Sequence, residues 1–309
     1  MQRVDRLDDV TLTQASMVTV GMFDGVHLGH QHLIRHLVAQ AQAAQQLAVV
    51  ISFFPHPDVV LRGITGRYYL TPPDEKERLM RQLGVDVLVI HPFNESVRQM
   101  RAADFVDRLR QHLKLKALWA TADFALGYQR EGTIEFLTQQ GAEKGFSVST
   151  VELVVPPSQH QRLSSTRIRE ALTQGDLAAA NAWLGRPYRV TGEVVHGDAR
   201  GRTIGFPTAN TYVWEGQIIP ANGVYACWAS LGDERFMAVT NVGNRPTFDG
   251  KSVTVEAHLL DFERDIYGQP LSLEFVQRLR GEQKFDGVAA LVAQIGQDAQ
   301  QGRAILMAP

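Results

Sequence analysis

The sequence predicts an α/β chain of two domains, with a parallel-sheet unit over residues 1–185 and a smaller antiparallel β unit over 186–309. Three observations carry this. At 309 residues the chain is about twice the usual domain length. Continuous apolar runs alternate with amphipathic helical patterns through the first half, as a parallel sheet with crossover helices requires. After Gly185, Arg186 and Pro187 break that pattern, short strands separated by turn signals take over.

Taken in order, Met17 to Gly21, Leu47 to Phe54, Val85 to His91, Ala117 to Thr121 and Phe146 to Val155 read as strands buried on both faces. Helical patterns separate them. The first, Gly29 to Gln46, sets Leu33, Ile34, Leu37, Val38 and Ala41 on one face, and others fit Pro73 to Leu83, Ala102 to Leu113 and Thr133 to Lys144. Right-handed crossovers then place a ligand site at the carboxyl ends of the strands. A Ser/Thr cluster opens a helix near Ser165, and a second short helix runs from Asp176 to Leu184. Beyond the break, strands are expected at Arg189 to His196, Val224 to Leu231, Arg235 to Val242, Val253 to Leu260 and Leu271 to Leu279. They imply a barrel or sandwich closed by a helix from Phe285 to Gln301.

Composition narrows the function. With 31 basic and 33 acidic residues and a formal charge of −2, the chain offers no global field for a nucleic-acid backbone. Cys227 is the only cysteine, which excludes an intramolecular disulfide and a multi-cysteine zinc site. The N-terminus lacks the apolar core of a signal peptide and no run reaches membrane-spanning length, so a cytoplasmic protein without a membrane partner is expected.

Two segments carry phosphate-handling features. In GMFDGVHLGHQHLI, Gly21 to Ile34, a strand turns through Gly21 and Gly25 and enters a helix at Gly29. The free amides and dipole of that first turn favour an anion. His27 and His30 can direct ring N–H groups at the same phosphates, although such a pair can also simply cap the helix. Ser164, Ser165 and Thr166 supply hydroxyls at a later helix start, with Arg167 and Arg169 beside them, and here capping and phosphate binding can both hold.

The second segment, GDARGRTIGFPTAN, lacks the ending of a Walker A loop. Gly201 and Gly205 still permit close backbone approach to phosphates, and Arg202 adds charge. Pro207 fixes the backbone before Thr208, and Thr208 with Asn210 falls on one face of an extended segment. Two neutral oxygen ligands suit Mg²⁺ already bound to ATP phosphates. Downstream, VTVEAHLLD alternates so that Thr254, Glu256 and His258 share a face; periodicity alone reads Glu256 as solvated.

HLGH, preceded by GMFDGV, resembles the HxGH signature of the nucleotidylyltransferases. FFPHP, LTPPDEKERLMRQLGVDVLVIHPFNESV and RLSSTRIREAL resemble the FMN adenylyltransferase module of bacterial bifunctional riboflavin kinase/FAD synthetase. GEVVHGDARGRTIGFPTAN, PANGVYA, NVGNRPTF and VEAHLLDF resemble its riboflavin kinase module. The resemblance implies a Rossmann-like nucleotidylyltransferase domain followed by a Greek-key barrel with a terminal helix. It also implies ATP, riboflavin and FMN as substrates and Mg²⁺ as the metal.

Under the same resemblance His27 and His30 stabilise ATP phosphates, Ser164 to Arg167 bind the triphosphate, and Gly21, Phe23, Asp24, Gly25, Gly29 and Asp123 border the nucleotide. Thr208 and Asn210, within a loop that also holds Gly201, Arg202, Gly205 and Pro207, bind metal-ATP, and Glu256 is the base. One stretch departs from the family. Relatives carry Gly-x-Asp/Asn-Phe and then an aromatic-Gly pair, whereas this chain reads Thr121-Ala122-Asp123-Phe124-Ala125-Leu126-Gly127. Two alternatives stay open on residues alone: a flavin-binding regulator without turnover, and an adenylyltransferase with another acceptor. Phe285, in KFDG, reads equally as core or as flavin contact.

Overall fold

The computed structural model describes residues 1–152, 163–197, 201, 204–247 and 250–308. Their contacts divide into two units, Met1–Ser165 and Thr166–Pro309.

In the first unit six strands form one sheet: Gln2–Val4 (β1), Ser16–Val20 (β2), Leu47–Phe54 (β3), Val87–Pro92 (β4), Leu115–Ala120 (β5) and Ser147–Thr150 (β6). The order is β1-β4-β3-β2-β5-β6 and every pair is parallel. Helices Leu28–Ala43 (α1), Pro57–Arg62 (α2), Pro73–Gln82 (α3), Glu95–Arg98 (α4), Ala102–Leu113 (α5) and Ile134–Lys144 (α6) alternate with them. The apolar runs are continuous because both faces are covered. Val49, Ile51, Val87 and Val89 pack with Phe105, Val106, Leu109 and Leu113 of α5. Val50, Leu88 and Ile90 pack with Leu33, Ile34, Leu37 and Val38 of α1. Ile34 and Leu37 are fully buried, and truncating either to Ala costs about 2–5 kcal/mol.

Strands β3 and β5 flank β2, which is where the strand order reverses. That switch point opens a crevice beyond the carboxyl ends of β2 and β5. Strand β1 and the short helices α2 and α4 were not legible in the sequence. Gln2–Val4 has no apolar run and gains its strand character only by pairing with β4 at the edge.

The second unit contains a closed antiparallel barrel, ordered β10-β11-β8-β7-β12-β9. Its strands are Tyr188–Val195 (β7), Ala209–Val213 (β8), Gly223–Leu231 (β9), Glu234–Thr247 (β10), Gly250–Leu259 (β11) and Pro270–Arg280 (β12). The interior holds Tyr225, Cys227, Ala238, Val255, Ala257, Leu273 and Phe275, all buried. Burial pushes the Cys227 thiol up to about 12, so it behaves as a small hydrophobe. Strand β8 was foreseen only as an extended segment; five residues cannot declare a strand before their barrel neighbours are known.

Among the described residues, helices Ser165–Gln174 (α7), Leu177–Leu184 (α8) and Val288–Met307 (α9) follow the first unit's elements or the barrel strands in sequence. The last extends beyond its expected end because Gly302 is no stop signal. A Cβ there would lie 2.8 Å from a methyl of Val239, so the glycine lets the helix approach the barrel. Helix α8 is tied to the barrel through Asn181, whose Nδ2 donates to the Phe275 carbonyl at 2.8 Å and whose Oδ1 accepts the Tyr188 amide at 2.8 Å.

Candidate active sites

At the carboxyl end of β2 the chain turns through a strained loop. Phe23, Gly25 and Val26 have φ of 46°, 81° and 40°, the left-handed region that non-glycine residues avoid. Anchors hold it there. Asp24, 2% exposed, accepts the Leu70 and Thr71 amides at 3.0 Å each, and Thr71 Oγ1 accepts the Gly25 amide at 3.0 Å. Gln31 Nε2 donates to the Val26 carbonyl at 2.9 Å, and Ser165 Oγ donates to the Asp24 carbonyl at 2.7 Å. Lys76 of α3 donates to the Met22 carbonyl at 2.8 Å and to Ser52 Oγ at 2.7 Å. The sequence analysis did not single out Lys76, which stands in the charged run Asp74 to Arg78.

His27 is the N-cap of α1: its Nδ1 accepts the His30 amide at 3.3 Å. The neutral ring therefore carries its proton on Nε2, which remains a donor. The His27 and His30 rings stack with centroids 3.6 Å apart, and Phe23 meets His30 edge-on at 5.2 Å. Burial first, then electrostatic coupling to His27 and to the Lys76 cation, hold His30 well below the usual imidazole range. It is neutral at physiological pH. Its Nδ1 is buried with no hydrogen-bond partner among the described residues.

These groups border a cavity of about 280 Å³ with Gly21, Phe23, Gly29, Thr121, Ser164 and Ser165. Residues far apart in sequence are brought to one place. The capping and phosphate readings of His27 are compatible, since capping engages only one of its two ring nitrogens, Nδ1. Thr166 and Arg167 fall in the second unit, where the Arg167 guanidinium lies 4.7 Å from the Trp183 ring centroid.

A larger cleft of about 720 Å³ shares Gly21, Thr121 and Phe124 with this cavity. Phe53, Phe93, Phe105, Met100 and Tyr128 supply apolar walls, and Asp123 stands exposed on its rim. The sequence reading had no hint of it, because its walls come from the ends of several strands. The atypical loop is explained here. Leu126 is buried in the core and bridges Gly132, while a Cβ on Gly127 would lie 2.6 Å from the Ala102 nitrogen, so these residues dock the loop on α5.

In the second unit the barrel register assembles a polar row. Glu256 pairs directly with Asn210 on one side and with Asn241 on the other, and Asn210 pairs with Val195. Directly opposed residues share a face. Val255 and Ala257 are buried while Thr254, Glu256 and His258 are half-buried, so the row lies on the outer face. Thr208, two residues before Asn210, precedes β8 on the same side. His258 Nδ1 donates to the Pro207 carbonyl at 2.8 Å and thereby fixes the approach to Thr208.

The Phe206 amide donates to the Gly201 carbonyl at 2.9 Å, and Gly205 has φ of 84°. A Cβ on Gly197 would overlap the Asn210 carboxamide, so that glycine makes room for the asparagine. Arg202 lies outside the described residues. Thr208 and Pro207 also border a cavity of about 360 Å³ with Val194, Phe262, Ile266 and Tyr267.

Asn241 and Glu282 are the groups missed from sequence. A Cβ on Gly243 would lie 2.8 Å from Glu282 Oε1 and 3.3 Å from Asn241 Nδ2, and Asn222 donates to Glu282 Oε2 at 2.9 Å. Asn241 and Gly243 alternate in TNVG, a signal that the NVGNRPTF motif contained. Phe285 is half-buried with the Arg280 guanidinium 5.7 Å from its ring centroid, and Arg280 is clamped on Asp298 at 2.7 Å.

Residues 10–167 match the family model FAD synthetase, and residues 184–306 match the model riboflavin kinase. A bifunctional riboflavin kinase/FMN adenylyltransferase from Listeria monocytogenes is 39% identical over 290 residues, which is 93% of this chain and 91% of the relative. The chain belongs to this family. The family member from Bacillus subtilis is 37% identical over 290 residues, with coverage of 93% and 91%, and that from Escherichia coli 36% identical over 287, with 92% and 91%. A solved structure from Streptococcus pneumoniae named macrolide-efflux protein is 32% identical, with a TM-score of 0.85 and 98% of both chains covered. Among the described residues no helix here is long and apolar enough to cross a membrane, and both family models name flavin enzymes.

Proposed function

We propose that the first unit transfers the adenylyl group of ATP to FMN, releasing pyrophosphate, and that the barrel phosphorylates riboflavin with ATP to give FMN and ADP. The chain would thus carry riboflavin through FMN to FAD in the cytoplasm, with small molecules as its partners. The observation that carries this is that each unit gathers its own scattered motif residues: His27 and His30 with Ser164 and Ser165, and Asn210 with Glu256.

In adenylylation an FMN phosphate oxygen attacks the α-phosphorus and the bond to the β-phosphate breaks. Positioning and charge neutralisation dominate such transfers. His27 Nε2–H and the His30 ring donate to phosphate oxygens, Gly21, Gly25 and Gly29 let the backbone approach, and Ser164 and Ser165 meet the triphosphate. Phe23 and Asp24 act by holding the loop. FMN phosphate is already a nucleophile at neutral pH and needs no base. The aromatic cleft beside Asp123 and Phe124 is shaped for the flavin ring.

In phosphorylation the primary ribityl hydroxyl attacks the γ-phosphorus while Glu256 accepts its proton. Among the described residues no group of three or more His, Cys, Asp or Glu could hold a metal alone. The neutral oxygens of Thr208 and Asn210, braced by Gly197, instead fit a hard cation that arrives with ATP. Mg²⁺ held there would neutralise phosphate charge. Pro207, Gly201 and Gly205 shape the phosphate loop, and the cavity walled by Tyr267 and Phe262 suits a nucleobase.

The test is to incubate the whole chain with riboflavin, ATP and Mg²⁺ and resolve FMN and FAD over time. Sequential appearance of both supports the reading. Binding without product would make it a regulator, and FMN without FAD would give the first unit another acceptor.

We also place the functional boundary near residue 185. A fragment from Tyr188 to Pro309 is expected to retain phosphorylation and make no FAD. A fragment from Thr166 should melt several degrees higher, because only it keeps α8 and the two hydrogen bonds of Asn181. Thermal melting with both assays decides this; an unfolded shorter fragment would move the boundary to Thr166.

A further inference from the structure

We propose that Lys76 is a positioning residue for adenylyl transfer, a buried cation that fixes the loop leading into His27 and His30 by gripping the Met22 carbonyl. This rests on reading the His27–His30 cavity as the adenylylation site.

Lys76 is 6% exposed although it stands among charged neighbours on α3. Those neighbours pair elsewhere: Glu75 with Arg78 at 2.7 Å, and Glu77 with Arg81 at 2.8 Å and Arg3 at 3.2 Å. Lys76 instead turns inward. Its Nζ and Ser52 Oγ converge on one acceptor, the Met22 carbonyl, at 2.8 and 2.9 Å, and Nζ also donates to Ser52 Oγ. Met22 immediately precedes the left-handed residue Phe23, so this grip sets where the strained loop begins.

Packing alone does not account for a lysine here. Burying a charge costs several kcal/mol, and an apolar side chain of similar volume would fill the space with less penalty. What the cation adds is field. It reaches the site, since its charge helps hold His30 neutral, and it lies under a loop that would meet a polyanion.

Titration supplies a second handle. Burial lowers Lys76 to about 8, opposed by the Asp24 carboxylate on the adjoining loop. The other titrating groups near it are His30 and, stacked on it, His27, from α1. Strand β3 offers only the Ser52 hydroxyl. The charge should therefore be lost under mildly alkaline conditions. Such loss does not unfold the protein. With the folded value near 8 and the ordinary value 10.5, the unfolded chain binds more protons between them, so the Lys76 contribution favours folding as pH rises through that window.

The experiment uses the full chain, with riboflavin phosphorylation as internal control. In Lys76→Met, kcat/KM for FMN adenylylation should fall about ten- to a hundredfold, the scale of a small misplacement of reacting groups, while phosphorylation stays near wild type. Wild-type adenylylation should decline as pH rises through about 8. Lys76→Arg, whose charge does not titrate in this range, should keep more activity than Met and lose that decline. Adenylylation by Lys76→Met within about threefold of wild type, or a wild-type profile flat from pH 7 to about 9, overturns the proposal. Should the Met variant not fold, the wild-type profile and Lys76→Arg decide. His30→Ala, assayed alongside, separates the two ideas: if it retains adenylylation the site reading itself fails, and if it alone loses activity only the role of Lys76 falls.

Discussion

Glu256→Gln is expected to lower riboflavin phosphorylation by about a hundred- to ten-thousandfold and to leave conversion of supplied FMN to FAD intact. Glutamine keeps the size and much of the hydrogen bonding of the side chain but cannot accept the ribityl proton. The register supports the selectivity of the loss. Glu256 lies between Asn210 and Asn241 on the outer face of the barrel, so the substitution disturbs no interior packing. Adenylylation needs no deprotonation of its nucleophile and is proposed for the other unit. The measurement is a paired assay of both half-reactions on one purified variant whose melting matches wild type. Phosphorylation within a few-fold of wild type would make Glu256 an ordinary strand residue, and equal loss of both activities would indicate structural damage.

His30→Ala should have the mirror-image effect, with FAD formation reduced on the order of a hundredfold or more and phosphorylation unchanged. His30 is half-buried, neutral and edge-packed by Phe23, so its ring is held in place before any substrate arrives. His27 needs a different substitution. Because its Nδ1 caps α1, His27→Ala also removes a cap worth about 1 kcal/mol. His27→Asn keeps a capping acceptor and loses the ring Nε2–H. It should therefore melt close to wild type and still lose much of its FAD synthesis. Full FAD synthesis by the double variant, measured from supplied FMN, would remove the phosphate-clamp role of both rings.

Much of this was readable before the structure, and the reason differs by element. The α1 face of Leu33, Ile34, Leu37, Val38 and Ala41 is a property of helical spacing, and it is buried as spacing requires. The alternation in VTVEAHLLD likewise declared that Thr254, Glu256 and His258 share a side. Continuous runs such as Leu47 to Phe54 marked strands covered on both faces. Family resemblance then attached chemistry to HLGH, to TAN and to Glu256, which periodicity alone would have left in solvent.

What the chain determined by itself is therefore whatever a single element or a short loop encodes: strand and helix alternation, the glycine turn into α1, and which side of a strand a residue occupies. Only the tertiary structure decided the pairings. That Asn241 joins Asn210 beside Glu256 follows from the register of three strands, and register depends on how the whole barrel closes. That Asp24 directs its carboxylate to Leu70 and Thr71, and that Lys76 turns inward from a run of ion-paired charges, follows from a strained loop whose polar groups must be satisfied once buried. Local periodicity reports the environment of an element's own faces. It carries no information about which distant backbone carbonyl will need a partner, and that need is what placed these residues.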